Sequence, residues 1–155
     1  MKTLYESILD DEDVLISNIE NSISDPFTAI VAAFNSGISK SDFENIIQGK
    51  IFDKFVEKEL YLNPKDFFWN VLSFTDYMIS MSLYNKETGE YPLIIRYKGK
   101  FKTIDIEIIK FSSNGITSKT FEYSEYHKIL SNIKKLGFKK LNISIGKYNV
   151  YNKKI

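Results

Sequence analysis

The chain has 155 residues, 43% of them apolar and 15% aromatic, a composition that fits one ordered domain or a small domain with an appended arm. It has no Cys and a single His, His127, which excludes disulfides, thiolate metal sites, a Cys nucleophile and multi-imidazole metal centres, and leaves only an all-oxygen carboxylate site open. Its near-neutral total hides a split: residues 1–90 hold 7 Lys against 16 Asp and Glu (net −9), and residues 91–155 hold 14 basic against 4 acidic residues (net +10).

The chain opens with MKTLYESILDDEDV, which has no basic segment leading into a long apolar core. No stretch approaches the roughly 18 consecutive apolar residues of a spanning helix. A soluble, cytoplasmic protein without membrane partners is expected. After the acids Asp10 to Asp13, Leu15, Ile16, Ile19 and Ile23 are spaced for one helix face, with the acids at the end where the macrodipole favours negative charge. That acidic run lacks the ligand spacing, Gly and distal Glu of a calcium loop. Asp25 and Pro26 read as cap and first helical position of a short helix closing at Gly37. Ser41 with Glu44 suggests a capping box for a helix whose apolar stripe runs from Phe43 to Leu60, and Gly49 inside it predicts a break or a close contact.

Asn63 and Pro64 predict a turn or short helix through KDFFWNVL, with Phe67, Phe68, Trp69, Val71 and Leu72 at the junction of helical and strand regions. From Tyr77 the period becomes two: Ile79, Met81 and Leu83 alternate with Ser80, Ser82 and Tyr84. PLIIRYK and FKTIDIEIIKF flank Gly99 as a hairpin. A short strand from Thr117 to Glu122 follows, then a helix capped by Ser124 with a stripe of Tyr126, Ile129, Leu130, Ile133 and Leu136, ending at Gly137. Phe138 to Ile145 reads as a last strand and KYNVYNKKI as a polar tail or an added edge strand. The order predicts an α+β fold: amino-terminal helices packed with a mainly antiparallel sheet of four to five strands, and one further helix before the last strand. The expected organisation is an arm or helix over residues 1–23 and one domain over 24–155, helical to residue 75 and mainly β from 76.

Three groups of residues carry functional readings. Asp105 and Glu107 share one face of a predicted strand, as paired carboxylates do in nucleases and glycosidases, with Lys102 or Lys110 nearby; any half-solvated strand shows the same alternation. His127 has no nucleophile signature around it and falls beside the apolar stripe, so a boundary or surface position is expected. Lys98, Lys100 and Lys102 across the hairpin, with Lys134, Lys135, Lys139 and Lys140 around the end of the last helix, form a basic surface interleaved with Tyr97, Phe101, Tyr148 and Tyr151. Such a surface suits phosphates with aromatic platforms for bases. The basic residues are 20 Lys and one Arg, Arg96, in a composition biased as an A+T-rich genome biases it. Lys also commonly protects sheet edges, and rigid phosphate or guanine recognition favours the Arg fork.

The opening peptide Met1 to Val14, with its LYESIL segment, resembles the start of uncharacterised proteins from phages of gut Bacteroidales, including crAss-like phages. The resemblance covers those 14 of 155 residues and carries no activity to the rest. A shared opening before unlike bodies implies a docking or sorting tag, and Leu4, Tyr5, Ile8 and Leu9 fit one helical face entering a partner groove. A first turn packed on its own domain is the alternative.

Together these patterns predict a non-enzymatic interaction, structural or accessory protein of a phage or mobile element, virion-associated in one version. It binds another protein or itself through its charge-polarised surface. A nucleic-acid-binding protein using the Lys and aromatic surface is the alternative, and a metal-dependent nuclease the third. No catalytic, cofactor or metal residue is assigned.

Overall fold

The computed structural model describes residues 25–111 and 118–155. The arm over residues 1–23, with Leu4, Tyr5, Ile8 and Leu9 and the helix expected from Leu15 to Ile23, lies outside them. Two compact units divide the chain, residues 1–55 and residues 56–155.

In the first unit, α1 spans Pro26–Ser36. The Asp25 carboxylate accepts the Thr28 N–H at 2.9 Å and the Thr28 hydroxyl at 2.8 Å, satisfying donors that the first turn leaves unpaired. Gly37, at φ 68, ends the helix in the left-handed conformation that an L side chain adopts only under strain. The cap of α2 (Lys40–Ile47) is Ser39, whose hydroxyl accepts the Asp42 N–H at 3.1 Å. Ser41, expected in that role, already lies within the helix. Gly49 separates α2 from α3 (Lys50–Lys58), as its position predicted. A Cβ there would stand 3.1 Å from the Ile46 carbonyl oxygen, so the glycine serves both the break and the close approach. Phe27 and Phe55 meet edge-to-face with ring centroids 5.4 Å apart, an arrangement aromatic pairs favour.

The second unit is built on a six-stranded sheet, antiparallel throughout, in the order β1-β2-β3-β4-β6-β5. Its strands are β1 (Phe67–Phe74), β2 (Met78–Asn85), β3 (Leu93–Lys98), β4 (Thr103–Ile109), β5 (Lys139–Ile145) and β6 (Tyr148–Lys154), with α4 (Tyr123–Lys135) between β4 and β5. The α+β class is as expected, with more strands than the four to five predicted. One addition is β1, from the segment expected to be a turn or short helix. Only Pro64–Asp66 is helical there, and from Phe67 the side chains alternate, Phe67 and Trp69 buried, Phe68 and Asn70 exposed. The other is β6, expected as a tail or an edge. It is an interior strand between β4 and β5, with Val150 and Tyr151 buried. Residues 118–122, expected to end a strand, form none. The Glu90 carboxylate holds them instead, accepting from the Ser118 hydroxyl at 2.7 Å and the N–H groups of Lys119 and Thr120 at 2.9 and 3.1 Å. Nor does Ser124 cap α4. The cap position is Glu122, without a side-chain hydrogen bond.

The register gives the sheet two unlike faces. On one, Leu83, Met81 and Ile79 of β2 lie beside Leu93, Ile95 and Tyr97 of β3, which pair with Ile108, Ile106 and Ile104 of β4. All are buried, and each contributes roughly 1.5–3 kcal/mol of burial. α4 lies over this face: the Tyr126 hydroxyl donates to the Ile109 carbonyl at 2.9 Å, and Lys153, opposite Ile104, donates to the Leu136 carbonyl at 2.8 Å. The other face carries Phe68, Asn70, Ser80, Ser82, Ile94, Arg96, Lys98, Asp105, Glu107 and Asn152, so it is polar at its centre.

Candidate interaction surface

The sheet order brings every predicted lysine to one end of the second unit. Lys98 closes β3, and Lys100 and Lys102 sit in the turn that follows. Beside them β6 ends, with Lys154 opposite Thr103, Lys153 opposite Ile104, and the Ile155 N–H donating to the Lys102 carbonyl at 2.7 Å. β5 starts at the same end, Lys139 opposite Asn152 and Lys140 opposite Tyr151. The last turn of α4, with Lys134 and Lys135, reaches it through the Lys153 bond to Leu136. Cations there are also favoured by the helix dipole. Gly137, at φ 100, has the Lys153 side chain 3.1 Å from where its Cβ would be, so the chain turns tightly from helix to strand.

Lys100, Lys102, Lys134, Lys135, Lys139, Lys140 and Lys154 are exposed, and none of them has an acidic partner among the described residues. Two aromatic rings stand out into solvent at this end, Tyr77 at 77% and Phe101 at 64% exposure. Their turns are joined by a hydrogen bond from the Gly99 N–H to the Tyr77 carbonyl, and Lys100 lies over the Phe101 ring at 5.8 Å. Tyr97 and Tyr151, counted with the aromatic platforms on sequence, are buried in the sheet. Lys153 and Lys154 belong to the surface and were not predicted for it, because β6 read as a tail. The opposite end mixes Asp66, Glu87 and Glu90 with Lys86, Lys110 and Lys147.

Asp105 and Glu107 do not face water as a half-solvated strand would have them. Both are buried, and β3 supplies their counter-ions. Arg96 Nε donates to Glu107 Oε2. Lys98 Nζ lies 3.1 Å from Asp105 Oδ2, and the Asn152 amide donates to Asp105 Oδ1. Buried carboxylates are tolerated when paired and hydrogen-bonded in this way. Among the described residues no group of three or more His, Asp and Glu is placed to hold a metal ion. His127 is exposed on α4, as expected, beside an open hollow of about 300 Å³ that it lines with Tyr61, Lys128, Ser131, Asn132 and Lys135.

A second hollow, of about 290 Å³, lies on the polar face of the sheet, lined by Asn70, Leu72, Ser82, Tyr91, Ile94 and Tyr148. Asn70 and Ser82 are direct cross-strand neighbours. The Ser82 hydroxyl and that of Ser80 are buried without a hydrogen-bond partner. Phe68, Tyr84 and Tyr91 form a row with successive ring centroids 5.0 Å apart, and the Tyr148 hydroxyl donates to the Tyr91 carbonyl at 2.6 Å. Burial, then the negative charges of Glu90 and Glu107, push the Tyr148 phenol above its ordinary pKa. On sequence Tyr148 was counted with the aromatic platforms of the basic surface, but it opens β6 opposite Ile109, at the end of the sheet away from the lysines; the other residues were not singled out for a site. Ser80 and Ser82 read as the solvent side of an alternating strand, and Tyr91 and Tyr148 are far apart along the chain.

Comparison with family models, curated proteins and solved structures finds no match. No helix among the described residues is long and apolar enough to cross a membrane.

Proposed function

We propose that this is a non-enzymatic interaction protein, of phage or mobile-element origin, that grips an acidic protein surface with the lysine-rich end of its sheet unit. The observation that carries this is the gathering of Lys100, Lys102, Lys134, Lys135, Lys139, Lys140 and Lys154 at one end without acidic partners among the described residues. Such a concentration of one sign is self-repelling and is relieved by an opposite surface. The chain itself offers one, since residues 1–90 carry a net charge of −9. A second copy is therefore the first partner to test, and contacts between unlike faces build rings or filaments.

Sedimentation at about 0.01 M and about 1 M salt, where the Debye length falls from ~30 Å to ~3 Å, should show oligomers that dissolve as salt rises. Oligomers should be absent in Lys100→Glu/Lys139→Glu/Lys140→Glu. A monomer at every salt concentration overturns self-association.

Nucleic acid is the second reading, favoured by Tyr77 and Phe101 standing exposed among the lysines. It requires oligonucleotide affinity that falls steeply with salt. Phe101→Ala should then weaken binding by roughly 1–3 kcal/mol, the worth of one stacked base. Affinity indifferent to salt, or to that substitution, removes this reading.

A further inference from the structure

The two edges of the sheet are open. β1 and β5 each have a single neighbour in the ladder, and among the described residues neither strand makes a backbone hydrogen bond beyond that neighbour. A row of unpaired N–H and C=O groups is a template for a further strand, and edges are ordinarily blunted by charge, Pro or a bulge. β1 has neither charge nor Pro over Phe67–Phe74, only the irregularity between Val71 and Ser73, and Leu72 within it is 47% exposed. β5 is irregular between Lys140 and Ser144, and its Ile143 and Ile145 are 58% and 54% exposed. These side chains share a face: Leu72 and Tyr148 line one hollow, Ile145 is opposite Tyr148, and Ile143 stands two residues before it along the strand.

Topology and charge together decide what fits the edges. In six strands antiparallel throughout, β5 runs opposite to β1. A second copy set beside the first in the same orientation therefore offers its β5 antiparallel to β1, like face beside like face. The turn after β1 lies at the lysine end, since Met78 is opposite Lys98. It holds Asp76, exposed and without a cationic partner among the described residues, and the exposed ring of Tyr77. β5 begins at that same end with Lys139 and Lys140. Head-to-tail addition thus sets the two lysines of one copy beside Asp76 and Tyr77 of the next, an ion pair with an aromatic face next to it. At the far end Lys147 approaches Asp66, but Lys65 and Lys86 stand with that acid, so little is gained or lost there. Both two-fold pairings do worse. β5 on β5 brings Lys139 and Lys140 toward Lys147 of the other copy, and β1 on β1 brings Asp76 toward Asp66 and leaves the lysines unanswered.

We propose that β1 of one copy and β5 of another join antiparallel, continuing the sheet head to tail into an open, twisted ribbon of copies. This rests on self-association through the lysine end and names the strands that meet. The irregularity in each strand keeps the seam short, so the ion pairs decide whether it holds, and salt dissolves it.

Cross-linking tests the seam, because the chain has no Cys of its own. With Asp76 level with Lys139, Leu72 and Ile143 come level four residues further along. Within one copy they lie on opposite edges, five strand spacings or roughly 24 Å apart, well beyond the about 4.4–6.8 Å between the Cα atoms of a disulfide. Leu72→Cys/Ile143→Cys, oxidised at about 0.01 M salt, should therefore give a ladder of dimers, trimers and higher multimers on a non-reducing gel, and monomer at about 1 M salt. Each single variant alone should stay monomeric, and their mixture should stop at a dimer of one with the other. Asp76→Lys in the double-Cys chain should abolish the ladder, and adding Lys139→Asp/Lys140→Asp should restore it. Disulfide dimers of Leu72→Cys alone or of Ile143→Cys alone would show a two-fold seam and overturn the proposal, as would a ladder indifferent to Asp76→Lys. Salt-sensitive oligomers in sedimentation without a ladder in the double variant sink the strand pairing and leave the lysine contact standing, whereas a monomer at every salt concentration removes both.

Discussion

The Arg96 and Glu107 pair makes an asymmetric prediction, because its two members differ in access to water. The Glu107 side chain is 2% exposed and that of Arg96 30%. Arg96→Met therefore leaves a carboxylate buried without its cation, the situation that costs about 3–5 kcal/mol when a buried pair is broken. Glu107→Gln keeps a hydrogen-bond acceptor and leaves a guanidinium that reaches solvent and sits across the ladder from Asp105, so its cost should be nearer ~1 kcal/mol. Arg96→Met/Glu107→Leu removes both charges and should return to within ~1 kcal/mol of the parent, since apolar replacements of buried pairs are often neutral. With Glu107→Leu as the matching single substitution, at a cost near that of Glu107→Gln, the coupling in the cycle is then at least about 3–5 kcal/mol. Urea unfolding followed by the fluorescence of Trp69, the single Trp and a residue of β1, reads the sheet directly. Equal costs for the two single substitutions, or a double substitution as costly as their sum, would refute a buried pair whose burden lies on the carboxylate.

Three further outcomes follow from individual groups. Ser80→Ala removes a buried hydroxyl without a partner and should leave stability unchanged or raise it by up to about 1 kcal/mol in the same urea assay; a clear loss would reveal a hidden bond. Glu90 has a folded pKa below its ordinary 4.5, so the stability it adds is present above that value and is lost as pH falls through the folded one. The melting temperature of Glu90→Gln should accordingly be lower than the parent's at neutral pH and converge on it in acid. The Tyr126 phenol, pushed up to about 12 from 10.0 mainly by burial, contributes stability that is complete below pH 10 and lost as pH climbs through about 12; Tyr126→Phe should cost about 1 kcal/mol at neutral pH and lose less in alkali, as unfolding across that range will show.

Sequence revealed what is local and missed what depends on a distant partner. Asp25, Pro26 and Gly37 bound α1 as predicted because caps act through their own backbone neighbours. The hairpin about Gly99 was legible from its turn and alternation, and with it the placing of Lys98, Lys100 and Lys102 at one end. FFWN hid its period of two behind apolar density: Phe68 is as apolar as the buried Phe67 and Trp69, so the exposed side of β1 did not look exposed. KYNVYNKKI hid an interior strand behind its asparagines. Asn152 is at home there because its amide meets Asp105, a residue far back along the chain.

The same register explains why some charges are internal and others are free. β3 and β4 run antiparallel from the turn after Lys98, so Arg96 and Lys98 face the acids of β4 across the ladder, and both cations are neutralised within the sheet. Beyond Lys98 the strands end, and the lysines of the turn have no acid opposite them. β6 inserts beside β4 with its own two lysines at that end, and β5 and α4 bring theirs because the connection through Gly137 is tight. The interleaved order sets strand end, strand start and helix end side by side. The lysine cluster is thus a product of topology acting on a sequence whose last 65 residues carry a net charge of +10, which is why composition suggested its sign and only the fold gave it a place.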